Sequence, residues 1–154
     1  MKKTGIYLLT CLIIFSACGK HDTVPNPNQT LIFGQRCVVC WFSTSNFYQV
    51  KNSSLYQDTT IYHSVPTTYN FSKQLPYSKY LLASPLLNNF PQYLRNDTGG
   101  NLACPGCLDG PVMYLEFTDG NNHTVKWDIN FDTSFLPAQI RPYIQQVKTV
   151  MGQL

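Results

Sequence analysis

The residues of this chain best suited to chemistry are two pairs of cysteines that share the spacing Cys-x-x-Cys. Cys37 and Cys40 enclose two valines, whereas Cys104 and Cys107 enclose a proline and a glycine. Thiols at this spacing can form disulfides, hold a zinc ion or exchange electrons with another thiol. The compartment in which the protein works decides between these chemistries, because oxidising compartments favour disulfides.

The amino terminus indicates that compartment. Lysines at positions 2 and 3 precede an apolar run over residues 6–15, and the small residues Ser16 and Ala17 lead to Cys18. The run is too short to cross a bilayer as a stable helix, and this order of charge, apolar run and small residues is typical of an export signal. The segment resembles the lipobox of bacterial lipoproteins, with a phenylalanine where leucine is usual.

That resemblance implies a lipoprotein signal peptide over residues 1–17, which is cleaved before Cys18. The Cys18 thiol would carry a diacylglyceryl group, and the new amino terminus would carry a fatty acyl chain such as palmitate. Acyl chains of this kind hold a protein on a membrane almost permanently. Gly19 stands where an aspartate is associated with retention in the inner membrane, which favours the outer membrane of the cell envelope. The alternative is an ordinary signal peptide or a short membrane anchor.

Charge and composition exclude several classes of function. The formal net charge is +3, and removal of the two leader lysines lowers it to +1, so we expect no nucleic-acid partner. The chain has a single glutamate, Glu116, and three histidines, of which His63 and His123 are isolated. It contains no phosphate-binding loop, nucleophile elbow, zinc-protease motif or dinucleotide motif. The sequence therefore favours a non-enzymatic protein, with no catalytic residue and no cofactor.

The mature chain divides into a tether and a domain. Residues 18–29 hold the lipidated cysteine and a polar, proline-containing tether that can extend about 35 Å from the lipid. Residues 30–154 are long enough for one domain. Charged residues make up only 12% of the chain and aromatic residues 14%, a composition typical of β-rich exported proteins.

Hydrophobic patterns predict an α+β fold, with a small antiparallel sheet, a short central helical segment and a carboxyl-terminal amphipathic helix packed on the sheet. Residues 30–34 are expected to form a first strand. Residues 41–50 and 54–63 are rich in β-forming residues, and the turn residues between them, 51–53, predict a hairpin.

The central helical segment is predicted to begin at Leu75-Pro76, because proline suits the first position of a helix. Pro85 and Pro91 are expected to break the segment into short turns, since proline lacks the backbone N–H that a helix needs. We expect its apolar face to consist of Tyr80, Leu82, Leu86 and Leu87.

The last third of the chain has the clearest pattern. Apolar residues alternate with polar ones over residues 113–117 and 125–129, and the intervening turn at 118–122 predicts a hairpin with one buried face. Beyond it, a turn at residues 137–140 should lead to a helix that starts near Arg141 or Pro142. The apolar side of this helix is expected to consist of Ile140, Tyr143, Ile144, Val147, Val150 and Met151.

This order of elements is similar to emfourin, a family of small inhibitors of thermolysin-like metalloproteases. The resemblance is confined to the last third of the chain, on Asp109 before the hairpin, the Asp119-Gly120 turn and a leucine-proline pair before the final helix. It implies that inhibition of such a protease is one candidate function. The cysteine pairs do not belong to the pattern of that family.

The exported location favours disulfides for Cys37, Cys40, Cys104 and Cys107, and a structural zinc ion held by the same four thiolates is the alternative. Thiol exchange fits less well, because neither pair precedes a helix whose dipole would lower a thiol pKa. Zinc and disulfides that cross between the pairs both require the pairs to meet in space. We therefore predict one cysteine cluster, which ties the first strand to the loop before the final hairpin.

Together these features predict a membrane-anchored envelope lipoprotein with a small, cysteine-stapled and non-catalytic domain for binding or structure. Its many tyrosine, phenylalanine and asparagine residues suit a protein or carbohydrate ligand. An envelope thiol oxidoreductase or redox chaperone is the main alternative, and an emfourin-like metalloprotease inhibitor is a further one.

The lipid anchor is tested by replacing Cys18 with alanine and fractionating cells that express each form. We expect the wild type in the membrane fraction and the Cys18→Ala chain unprocessed, because the variant has no thiol for the diacylglyceryl group. Equal solubility and equal processing of the two forms would contradict the lipoprotein interpretation.

Overall fold

A computed structural model of the chain describes residues 28–37, 46–60, 68–105 and 110–154. The leader, Cys18, the tether to residue 27, Cys40, Cys107 and Asp109 lie outside the described residues. The elements in chain order are β1 (Thr30–Cys37), β2 (Asn46–Lys51), β3 (Ser54–Gln57), β4 (Lys73–Gln74), α1 (Tyr77–Asn88), α2 (Gln92–Arg95), β5 (Gly100–Leu102), β6 (Pro111–Thr118), β7 (Thr124–Asn130), a 3-10 turn (Thr133–Phe135) and α3 (Arg141–Met151).

The strands form one sheet in the order β4-β3-β2-β1-β6-β7-β5, with the helices packed on one of its faces. The α+β class is thereby confirmed. Every pair of neighbouring strands is antiparallel except β5 and β7, which run parallel. The edge strands β4 and β5 were not predicted, because segments of 2 and 3 residues are too short to show an alternating pattern.

Two predicted hairpins are present. The turn between β2 and β3 consists of Asn52 and Ser53, whose φ angles of 51° and 56° are those of the turn type that matches the twist of a hairpin. In the hairpin of β6 and β7, Asp119 Oδ1 accepts hydrogen bonds from the backbone N–H groups of Asn121 and His123, at 2.8 and 2.9 Å. The predicted partner strand over residues 54–63 is shorter than expected, since β3 ends at Gln57 and residues 61–63 lie outside the described part.

The closing helix follows the sequence pattern closely. α3 begins at Arg141, and Pro142 lies in its first turn, where the missing N–H has no helical partner to lose. Its buried side chains are Tyr143, Ile144, Val147 and Val150, which face the sheet and α1.

The central segment departs from the prediction in two ways. Pro85 lies inside α1 and does not break it, and the Leu81 carbonyl, which has no N–H partner at Pro85, accepts a 3.5 Å hydrogen bond from the Ser84 hydroxyl. The buried side of α1 consists of Ala83, Leu86 and Leu87, whereas Leu82 keeps 39% of its surface exposed. Leu82 was therefore wrongly placed in the apolar face, because a helix that is apolar on every side shows no preferred orientation in its sequence.

The outer face of the sheet, opposite the helices, is also partly buried. Ile32, Phe47 and Tyr114 form a second cluster there, and Tyr69 and Phe71 pack on it. The Tyr69 ring lies 4.9 Å from that of Phe47 between centroids. The β6–β7 hairpin therefore has buried residues on both faces, whereas the sequence predicted one.

Gly34 makes this second cluster possible. A Cβ atom on Gly34 would lie 2.3 Å from the Asn46 carbonyl oxygen and 2.6 Å from Cδ1 of Phe47. The Phe47 ring thus lies directly over the glycine backbone, an arrangement in which an aromatic side chain covers a strand glycine.

We expect Gly34→Ala to lower the free energy of unfolding by about 1–3 kcal/mol, because the new methyl group displaces Phe47 or the neighbouring strand. Gly152→Ala is the matched control, since its Cβ would meet atoms only at 3.6 Å and its φ of −68° suits alanine. That change should be neutral or stabilising by up to about 1 kcal/mol. Urea unfolding measures the free energy of unfolding of both variants. Equal destabilisation of the two would contradict the close contact between Gly34 and Phe47.

Candidate functional site

The strand register brings the two cysteine segments to the same end of the sheet. Cys37 is the last residue of β1 and pairs with Pro111 of β6, which follows the second cysteine pair by a few residues. Paired residues of antiparallel strands have Cα atoms about 4.5–5.5 Å apart, so the backbone at Cys37 lies beside the start of β6. This arrangement is the one that a shared cysteine cluster needs.

Cys104 is exposed, and the side chains of all other cysteines lie outside the described residues. Ala103 and Cys104 have left-handed φ angles of 55° and 48°, and the Asn130 side-chain amide donates a 2.9 Å hydrogen bond to the Ala103 carbonyl. The end of β7 thus anchors the segment that leads into the second cysteine pair. The number of disulfides, their pairing and the zinc alternative stay predictions.

Metal-ligating side chains do not gather elsewhere in the described ranges, where no three His, Cys, Asp or Glu residues lie close enough to hold an ion. Within those same ranges, no helix has the length and apolar character needed to cross a membrane.

The opposite end of the sheet carries a polar surface depression of about 460 Å³, which we call the amide depression. Three segments build it: the residue before β1, the end of α2 and the turn between β6 and β7. The polar side chains in its lining belong to Gln29, Gln92, Arg95, Asn96, Asp119, Asn121 and His123.

Arg95 is the most unusual of these residues. Its guanidinium carbon lies 4.7 Å from the centroid of the Phe117 ring, and Phe117 is itself stacked on Phe90 at 4.5 Å. The Arg95 Nε is buried, yet it has no hydrogen-bond partner within the described residues, and neither ion pair found there includes Arg95. A cation held on an aromatic ring with an unused donor can receive an acceptor from a ligand.

The remaining groups of the amide depression suit hydrogen bonding more than acid–base chemistry. Four primary amides supply both donors and acceptors, from Gln29, Gln92, Asn96 and Asn121. Asp119 is engaged through Oδ1 in the hairpin turn, so it shapes the rim of the depression. His123 is exposed, as expected of a histidine beside this turn.

A second polar cluster, the outer-face network, crosses β1, β6 and β7. Arg36 pairs with Asp128, and the Tyr114 hydroxyl donates to Glu116 Oε2 at 2.5 Å. Lys126 Nζ lies 3.3 Å from the same Glu116 oxygen. Burial raises the pKa of Tyr114 far above its ordinary value and the hydrogen bond to Glu116 raises it further, so the phenol stays neutral and acts as a donor.

Asp128 is the residue of this network whose charged form is disfavoured by burial. Burial raises the pKa of its carboxyl group above the ordinary value of 3.8, and the nearby Arg36 guanidinium only partly opposes this shift. Asp128 Oδ1 and Arg36 Nε are both buried without a hydrogen-bond partner in the described part of the chain. An ion pair with unsatisfied atoms contributes little net stability, because the loss of hydration of the two charges offsets their attraction.

No protein-family model, no curated protein and no solved structure matches the chain. The case for any function therefore rests on the residues themselves, and the amide depression is the described region whose chemistry best suits a ligand.

Sequence reasoning found neither the amide depression nor the outer-face network. The outer-face network could have been inferred from the sequence, because Tyr114 and Glu116 alternate with buried residues and lie opposite Asp128 and Lys126 in the predicted hairpin. The amide depression has no such sequence pattern, since Gln29, Arg95 and His123 are far apart in the chain and belong to no shared motif.

The raised pKa of Asp128 predicts a pH dependence. Between its ordinary pKa of 3.8 and the raised value, the folded chain binds more protons at this site than the unfolded chain, so stability falls as pH rises. Relative to Asp128→Asn, the wild type should therefore lose stability as pH rises through that window. Urea unfolding of both proteins over a pH series measures this difference.

Asp132 supplies a control of opposite sign. Its carboxylate accepts a 2.9 Å hydrogen bond from the Ser134 backbone N–H, which lowers its pKa. Relative to Asp132→Asn, the wild type should lose stability as pH falls through the ordinary pKa of an aspartate. A wild-type advantage over Asp128→Asn that grows with pH would show that pairing with Arg36 outweighs burial.

Proposed function

We propose that the protein is a lipoprotein of the bacterial cell envelope, held by acyl chains on Cys18 and more suited to the outer than to the inner membrane. Its folded part acts as a non-catalytic binding domain. The ordered leader supports the anchor, and the polar composition of the amide depression supports binding. The cysteine pairs act as staples in this proposal, which is supported by the pairing of Cys37 with Pro111, four residues after Cys107.

One observation carries the binding proposal: Arg95 lines the amide depression with its guanidinium held over the Phe117 ring, and it belongs to neither ion pair of the described residues. Arginine and carboxylate groups pair through two parallel hydrogen bonds, so a ligand with a carboxylate fits this position.

The neighbouring amides narrow the class of ligand further. Gln92 Nε2 donates to Asn96 Oδ1 at 2.7 Å, which leaves the Gln92 amide oxygen to accept and the Asn96 amide nitrogen to donate. With the Asn121 amide, these groups suit a molecule with many hydroxyl groups. A saccharide that carries a carboxylate combines both features. We therefore propose an acidic saccharide as the ligand, and an acidic segment of a protein is the competing candidate.

Arg95→Gln tests this proposal in titrations of the purified mature protein with an oligouronate and with a neutral oligosaccharide of equal length. We expect the wild type to bind the oligouronate, and Arg95→Gln to weaken that binding roughly tenfold or more, since a charge-assisted hydrogen bond contributes about 1.5–3 kcal/mol. Lys126→Gln is the matched control, because it removes an exposed cation from the outer face of the sheet. Equal affinity for acidic and neutral saccharides, or for wild type and Arg95→Gln, would exclude this site.

A thiol oxidoreductase is the second candidate function, and the exposed position of Cys104 favours it. Exposed disulfides exchange more readily with thiols than buried ones. Under the binding proposal we expect no turnover in an insulin-reduction assay. Robust turnover that Cys104→Ser abolishes would establish the redox function instead.

A further inference from the structure

The described residues expose five large apolar side chains, and none of them lies on the sheet. All belong to the helical layer, by which we mean α1, α2, the 3-10 turn and α3. Their exposed fractions are 66% for Tyr77, 53% for Leu81, 39% for Leu82, 43% for Tyr93 and 63% for Phe135. Exposed apolar groups concentrated on one side of a protein mark a surface of interaction.

α1 shows the pattern most clearly. Tyr77 and Leu81 are one helical turn apart, on the side opposite the buried Ala83 and Leu87. The Tyr77 ring is stacked on that of Tyr80, with centroids 5.6 Å apart. The helix thus presents apolar groups away from the sheet as well as toward it.

The helices themselves carry cations and no anions. α1, α2 and α3 contain no aspartate or glutamate, and their cations are Lys79, Arg95, Arg141 and Lys148, while Asp97 follows α2 and Asp132 caps the 3-10 turn. The outer face of the sheet differs, because Glu116 and Asp128 lie there among cations. A helix with exposed tyrosine and leucine side chains and no anion is suited to the headgroup region of a bilayer.

The chain from the lipid arrives at the same end of the sheet as α1. β1 begins at Thr30, near the end of the tether. Its second residue, Leu31, is paired with Val50 on one side and Phe117 on the other, and Val50 is paired in turn with Leu55. These four residues form one row across the sheet. Both ends of α1 contact this row. Before the helix, the Leu75 N–H donates to the Leu55 carbonyl at 2.8 Å, and after the helix, the Phe90 ring stacks on the Phe117 ring. Residues 19–27 extend at most about 30 Å, so the domain stays within its own diameter of the membrane.

We propose that the helical layer docks on the surface of the bilayer that anchors the chain. The inference rests on the proposed lipid at Cys18, because the tether makes that bilayer the surface nearest to α1. Tyr77, Leu81 and Tyr93 enter the headgroup region, while Lys79, Arg141 and Lys148 keep their hydrogen bonds to backbone carbonyls of the chain. The outer face of the sheet then points away from the membrane.

Tryptophan quenching tests this docking in the full lipidated protein. The protein is reconstituted in vesicles of phosphatidylethanolamine with a minor share of phosphatidylglycerol, with and without bromine on the acyl chains. Leu81→Trp places the probe on α1, and Asn46→Trp places it at an exposed position of β2 near the cysteine end. Trp41 and Trp127 are common to both variants, so the difference in quenching reports the new residue.

We expect brominated lipid to quench the Leu81→Trp signal at least about twofold more than the Asn46→Trp signal, because docked side chains enter the boundary between headgroups and acyl chains. Flotation of the same vesicles separates the two proposals. A chain that does not float overturns the lipid anchor and the docking with it. A chain that floats but shows equal quenching at the two positions overturns the docking alone. The exposed side of α1 would then be a contact surface for a protein partner.

Discussion

β1 joins the two halves of the molecule, because it pairs with β2 on one side and with β6 on the other. Its residues alternate between two interiors: Leu31 and Phe33 enter the main core, while Ile32 enters the outer cluster. The helices pack on the face that this pairing creates, and Cys37 at its end lies beside the start of β6. A slip of one residue in β1 would exchange the two sets of side chains, so its register constrains every other element.

The two faces of the sheet handle buried polar groups differently. In the main core, the Trp127 indole N–H donates to the Leu94 carbonyl at 3.3 Å, and the Tyr143 hydroxyl donates to the Leu86 carbonyl at 3.0 Å. These bonds satisfy carbonyls of the α1–α2 region and fix the helices on the sheet. The outer face instead buries the Arg36–Asp128 ion pair, in which one atom of each side chain has no hydrogen-bond partner among the described residues.

The two ends of the sheet also differ, and the strand order explains why. At one end, Cys37 of β1 and the start of β6 lie side by side, so a staple there would hold the amino-terminal strands to the final hairpin. At the other end, α2 and the β6–β7 turn flank the residue that precedes β1 and leave the amide depression between them. Our proposals assign anchoring and ligand contacts to this second end, where the tether arrives.

The sequence by itself determined the elements whose signals are local. The β2–β3 and β6–β7 hairpins follow from alternation and turn residues, and α3 follows from its helical spacing, because each pattern lies within one continuous segment. Tertiary structure decided what depends on distant neighbours: that Pro85 stays within α1, that Leu82 faces solvent and that β5 pairs in parallel with β7. It also placed Arg95 over Phe117 beside Gln29, a juxtaposition with no sequence signature, since folding alone brings these three residues together.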